Sequence, residues 1–212
     1  MKKSSWDGLD QRELGRVAQP MQENIETDTT DYRSIRFWFQ AVRRIERQSI
    51  ETAIERLSYW KATSQSIEAT FYLYILHVLQ ALDGSIIAVS KASDLIKECS
   101  QMARTLAIRH NSIEWYGKGV GMKRILYHTQ LPKAWEEEYE KGDKLSLVEG
   151  RIAKIFGPEA GNIELSCGLS AFFVPGRGFK RTYSRSQDEN KAVRFYLSFS
   201  YDGLRAWAVR DA

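Results

Sequence analysis

The stretch Ala192-Val193-Arg194-Phe195-Tyr196-Leu197-Ser198-Phe199-Ser200-Tyr201-Asp202-Gly203-Leu204-Arg205-Ala206-Trp207-Ala208-Val209 decides the reading of the fold. Apolar residues recur with a period of two on both sides of Tyr201-Asp202-Gly203, and Asp-Gly between two such runs is a strong hairpin signal. Strands are therefore expected at 192–200 and 204–209. Toward the N-terminus, Val148, Gly150, Ile152 and Phe156 alternate with polar or small residues, and 162–165 and 169–174 read the same way. Breaks fall at Gly157-Pro158, at Cys167-Gly168 and in a loop over 175–190. Five short strands in fewer than 70 residues point to a small closed barrel, and a five-stranded one is of the OB type.

Before residue 145 the period is helical. Tyr32, Ile35, Phe39, Val42 and Ile45 recur at spacings of three and four, which places them on one face. Ser49 precedes a second run through Ile50, Ala53, Ile54, Leu57 and Trp60. A third, from about Glu68 to Leu82, is apolar on most sides and belongs in the middle of a bundle. Asp83-Gly84-Ser85 stops it and opens a fourth through Ile86, Val89, Leu95, Ile96, Met102 and Leu106. Short connections make neighbouring helices antiparallel. Residues 110–144 read as a junction, with a turn at Gly117–Gly121 and a short helix over 122–131. The expected architecture is α+β: a polar tail or linker over 1–30, helical hairpin repeats or a bundle over 31–130, a linker over 131–146 and the barrel over 147–212.

Composition supports a folded chain. The 212 residues are 43 % apolar and 27 % charged, as in average globular proteins. No apolar run reaches 18 residues, so no membrane span is expected, and the basic N-terminus lacks the apolar core of a secretory signal. Cys99 and Cys167 are too few and too far apart for a disulfide framework or a zinc set, which suits a reduced, cytoplasmic protein. The net charge of +4 is uneven: residues 1–144 carry +1, and the much shorter 145–212 carry +3. Between residues 165 and 187 there is no acid, while Arg177, Lys180, Arg181 and Arg185 all fall there. Such local charge suits a phosphate backbone, or is simply a solvated basic loop.

Gly150-Arg151-Ile152, Ala160-Gly161-Asn162-Ile163, Ala171-Phe172-Phe173, Val193-Arg194-Phe195 and Gly203-Leu204-Arg205-Ala206-Trp207-Ala208-Val209 occur in that order. Together they resemble the landmarks of the cold-shock domain over about residues 147–210. That resemblance implies an OB barrel that stacks the bases of single-stranded nucleic acid on surface aromatics amid positive charge. Phe172 falls on one of the stacking positions. Other positions depart from the family: its first-strand Trp is Lys154 here, Ala160 and Asn162 replace aromatics, and Val174 replaces a His. The 175–190 insertion, with Phe179, Tyr183 and its cations, is the candidate substitute. A shift of 35 residues also sets Phe37 on Tyr72, Phe39 on Tyr74, Ala53 on Ala88 and Ile54 on Val89. This resembles the tetratricopeptide period, with an ordinary four-helix bundle as the alternative.

Enzyme signatures are thin. Gly117-Lys118-Gly119-Val120-Gly121-Met122 is neither a dinucleotide fingerprint nor a Walker loop. His110 and Glu114 are too few ligands for zinc. Arg104 and His110 resemble the Arg-x-His spacing of HEPN ribonucleases, but chance alone supplies about one such pair in a chain of this composition. His77, on the apolar third helix, reads as a core residue. The sequence therefore predicts a non-catalytic adaptor with no cofactor and no metal, binding single-stranded RNA or DNA, with RNA favoured, through its barrel. The contact residues expected are Lys154, Phe172, Arg177, Lys180, Arg181, Tyr183, Arg185, Lys191 and Arg194. The helical part is expected to dock a protein partner. A pure protein-interaction module is the alternative, and a HEPN-like ribonuclease a distant third.

Overall fold

The computed structural model describes residues 8–27, 32–45, 49–106, 113–127, 138–139, 143–158, 160–173 and 182–212. Five helices come first: α1 (Gln11–Thr27), α2 (Tyr32–Val42), α3 (Ile50–Ser64), α4 (Ile67–Leu82) and α5 (Ile86–Thr105). Serines start the last three. Ser49, Ser66 and Ser85 accept from the backbone N–H groups of Thr52, Ala69 and Ala88, satisfying donors that the first helical turn leaves unpaired. α3 ends where Gln65 turns left-handed at φ 49°. α4 is buried on nearly every side and lies at the centre. Its Tyr72 stacks on Phe39 of α2 at 4.1 Å, and its Phe71 meets Tyr201 of the barrel edge-on at 4.8 Å.

Two helical expectations need correction. Gln11–Thr27, in the stretch that reads as a polar tail or linker with room for one short helix, is a 17-residue helix whose Leu14, Ala18 and Ile25 are buried. Its apolar face is narrow and diluted by amides and acids, so it becomes evident only where the neighbouring chain covers it. In α5 the buried face is made of small residues, Ala88, Ala92, Cys99, Ser100 and Ala103, which allow close approach to α4. Ile86 and Leu106, which begin and end the apolar run read for this helix, are exposed.

The barrel comprises β5 (Leu147–Gly157), β6 (Ala160–Leu165), β7 (Ser170–Phe173), β8 (Ala192–Ser200) and β9 (Gly203–Asp211). β5 pairs with β6, β6 with β7, β7 with β9, β9 with β8, and β8 with β5, so the ring closes. Only the β7–β9 pairing is parallel. A closed five-stranded barrel with this order is consistent with the OB type. Ile152, Ile155, Ile163, Phe173, Val193, Phe195 and Leu197 are buried with its core. Gly161 lets β5 come close: a Cβ there would lie 2.3 Å from the Lys154 carbonyl oxygen and 2.7 Å from the Phe173 ring. Gly203, at φ +108°, opens β9 after the Tyr201-Asp202 turn and faces Ile96 of α5. A short helix, α6 (Arg185–Asp188), lies between β7 and β8.

Strands also occur within the range expected to be helical. β1 (Glu114–Tyr116) and β2 (Ile125–Tyr127) form a hairpin, with a 3-10 turn at Gly121–Arg124 where a helix was expected. β1 pairs with Phe199 and Ser198, continuing the β8 edge beyond β5. Three-residue strands carry too little periodicity to be read alone. A second short ladder joins β3 (Glu138–Tyr139) to β4 (Asp143–Lys144). Trp115, Leu126, Leu145 and Tyr196 form a small core under the hairpin. The main core runs unbroken from the helices into the barrel. No helix among the described residues is long and apolar enough to cross a membrane.

Candidate nucleic-acid interface

The helices and the β1–β2 hairpin cover the β8–β9 side of the barrel, leaving exposed side chains along β5, β6 and β7. On this open face the register sets Lys154 opposite Asn162, Asn162 opposite Phe172, and Phe172 opposite Arg205. Side chains directly opposite on neighbouring strands share a face. Phe156, 48 % exposed, lies beside half-buried Phe172, with ring centroids 6.3 Å apart and planes only 24° from parallel. The Lys154 ammonium is 5.7 Å from the Phe156 centroid, and the Arg205 guanidinium 4.9 Å from that of Phe172. Two near-parallel rings thus lie next to each other with a cation at each end. Arg205 is also 3.7 Å from Asp202, a pair open to solvent.

The other expected residues that the structure describes make contacts of their own outside this ring pair. Arg177, Lys180 and Arg181 fall outside the described residues. Tyr183 is only 7 % exposed and packs edge-on against Phe173 at 4.9 Å, beneath the surface rather than on it. Lys191 pairs with Asp188 at 2.8 Å, and Arg185 donates through Nε to the Ile155 carbonyl at 3.0 Å. Arg194 is exposed on β8 opposite Glu149, away from the ring pair. Phe156 and Arg205 complete the cluster without having been expected. Arg205 was legible, because it alternates with inward Leu204 and Ala206. Phe156 was not. Two irregularities in β5, between Ile152 and Lys154 and between Ile155 and Gly157, turn Ile155 inward and Phe156 outward.

A second gathering of charge and rings lies in the seam between helices and barrel. Arg36 is 3.6 Å from Glu68 and donates to the Tyr201 hydroxyl at 3.4 Å; Tyr201 in turn donates to Glu68 at 2.7 Å. Burial raises the Glu68 carboxyl pKa, against the pull of Tyr201 and Arg36. Nearby, Tyr72 donates to Glu114 Oε1 at 3.1 Å. Glu114 is fully buried, and burial pushes its carboxyl up to about 8 despite Arg43, the Tyr72 hydroxyl, Arg36 and Arg44. Tyr74 ties α4 to the barrel by donating to the Ser200 carbonyl at 2.6 Å. His77 is buried, its ring against Gln80 at 3.1 Å, and burial lowers its pKa. Arg104 donates to Ser100 Oγ at 3.2 Å, and His110 lies outside the described residues.

Comparison of the chain with protein-family models, with curated proteins and with solved structures finds no match in any of the three.

Proposed function

We propose that the β5–β6–β7 face binds single-stranded nucleic acid, as a cold-shock-like barrel would, while the helical layer meets a protein partner. The observation that carries this reading is the Phe156–Phe172 pair with Lys154 and Arg205 at its ends. Bases offer π-faces to such rings whatever their sequence, and flanking cations attract the backbone. The Asn162 side chain, between Lys154 and Phe172 in the same row, makes no hydrogen bond among the described residues and adds a donor and an acceptor within reach of a base. The face is open on the strands that oligonucleotide-binding OB barrels use.

The test is a titration of the intact chain with single-stranded RNA and DNA oligonucleotides across a salt series, with thermal melting on the same sample. Binding that weakens as salt rises and falls with Phe172→Ala supports the reading. A folded chain without affinity for either strand at low salt sinks it. A protein-interaction module is then favoured by a specific feature: Ile86 and Ile87, at the start of α5, are 86 % and 73 % exposed.

A further inference from the structure

We propose that Arg185 and Glu189 are positioning residues, which hold the irregular end of β5 so that Phe156 stands beside Phe172. The consequence for binding rests on the function proposed above, but the positioning concerns the free protein.

β5 outruns its partner. Its ladder with β8 ends at Arg151 opposite Ala192, and Ile152 still exchanges backbone hydrogen bonds with Lys191 and Asn190. Farther along, no strand among the described residues flanks β5 on that edge. The Ile155 N–H instead donates to Glu189 Oε1 at 2.9 Å, and the Ile155 carbonyl accepts from Arg185 Nε at 3.0 Å. A carboxylate and a guanidinium thus stand in for the missing strand, acceptor to donor and donor to acceptor. Both attach where β5 departs from its register with β6. Ile155 is the buried anchor and Phe156 is the next residue, facing out. The platform therefore depends on how this one peptide is held.

The segment that carries these side chains is itself tied down. Asp188 accepts from the Ser184 N–H at 2.8 Å and pairs with Lys191 at 2.8 Å, which closes the turn of α6. Tyr183 donates its N–H to the Pro158 carbonyl at 2.8 Å, tying the start of the segment to the end of β5. Arg185 so placed acts through Phe156, in addition to any charge it lends the surface.

The experiment compares the intact wild type with Glu189→Ala, Glu189→Gln, Arg185→Ala, Phe156→Ala and the double variant Glu189→Ala/Phe156→Ala. In the free protein, NMR reads hydrogen exchange at the Ile155 amide and the cross-relaxation between the Phe156 and Phe172 rings. A fluorescent oligo(U) titration reads binding. Glu189→Ala is expected to speed exchange at Ile155, to abolish the ring-to-ring cross-relaxation and to weaken binding roughly five- to hundredfold, the loss of one stacked base. It should add nothing to Phe156→Ala. Glu189→Gln keeps an acceptor oxygen and should leave all three readouts as in the wild type. Arg185→Ala should reproduce the ring displacement, and it decides the matter if Glu189→Ala does not fold. Undisturbed cross-relaxation in the folded alanine variants overturns the proposal, as does a double variant whose weakening is the product of the single effects. If the wild type binds no oligo(U), the binding function fails while the exchange and ring measurements still decide the positioning.

Discussion

The helix–barrel seam and the open barrel face are built from the same kinds of residue in similar arrangements. In the seam Arg36 lies between the Glu68 carboxylate at 3.6 Å and the ring of Tyr127 at 6.0 Å. On the face Arg205 lies between the Asp202 carboxylate at 3.7 Å and the ring of Phe172 at 4.9 Å. The difference is water. The Glu68 side chain is 6 % exposed and that of Asp202 40 %. A buried charge deprived of its partner keeps its desolvation cost, whereas an exposed one is rehydrated. One arrangement therefore serves cohesion, and the other leaves its cation free to exchange its carboxylate for another anion, as the proposed function requires.

The contrast breaks most readily at its largest effect. Glu68→Ala removes the buried carboxylate that pairs with Arg36 inside the seam, and denaturant unfolding should show a loss of about 3–5 kcal/mol. Asp202→Ala should cost under about 1 kcal/mol in the same assay. Similar losses from the two would refute the comparison.

Next comes the pH dependence of the seam. With Glu114 at about 8 in the folded protein and near 4.3 when unfolded, the native state retains a proton that the unfolded chain has released. Its contribution is fully present below the unfolded value and is lost as pH rises toward 8. Stability should fall across that window by at most ~1.4 kcal/mol per pH unit from this group. Glu114→Gln, which still accepts from Tyr72, should flatten the slope and be the more stable form at pH 8. A slope unchanged in the variant would remove Glu114 from the account.

On the face the effects move from stability to affinity. Phe156→Ala should weaken single-strand binding by about 1–3 kcal/mol. Because the ring is half exposed, its melting curve should shift by no more than about 0.5 kcal/mol of stability. A large drop in stability with binding intact would place the ring in the core. The smallest change expected is in salt dependence. Lys154→Ala with Arg205→Ala should reduce the log–log salt slope by about 1.4, near 0.7 for each phosphate that is no longer neutralised. An unaltered slope would separate these cations from the backbone.

The uneven legibility of the molecule has the same local-versus-distant origin. The alternation over 192–209, the serine caps and the all-round apolarity of α4 are properties of neighbouring residues, so helix, strand and centre could be read directly. The resemblance to the cold-shock domain, rather than the strand period, points to Phe172 and Lys154; Lys154 faces out although Ile152, two residues before it, is buried, because β5 is irregular between them. Tyr183 was read as a surface aromatic, and only its packing on Phe173 reveals where it lies.

What the sequence by itself determined is the order of elements, helices then a five-stranded barrel, and the basic, aromatic character of the C-terminal part. Tertiary structure alone decided that α1 belongs to the packed molecule, that β1 and β2 extend the barrel sheet, and that Phe156 faces out. A bulge is a count of residues against a partner strand, set here by Gly161 beneath β5 and by Arg185 and Glu189 at its edge. No periodicity within β5 records that count, because the groups that impose it lie in other parts of the chain.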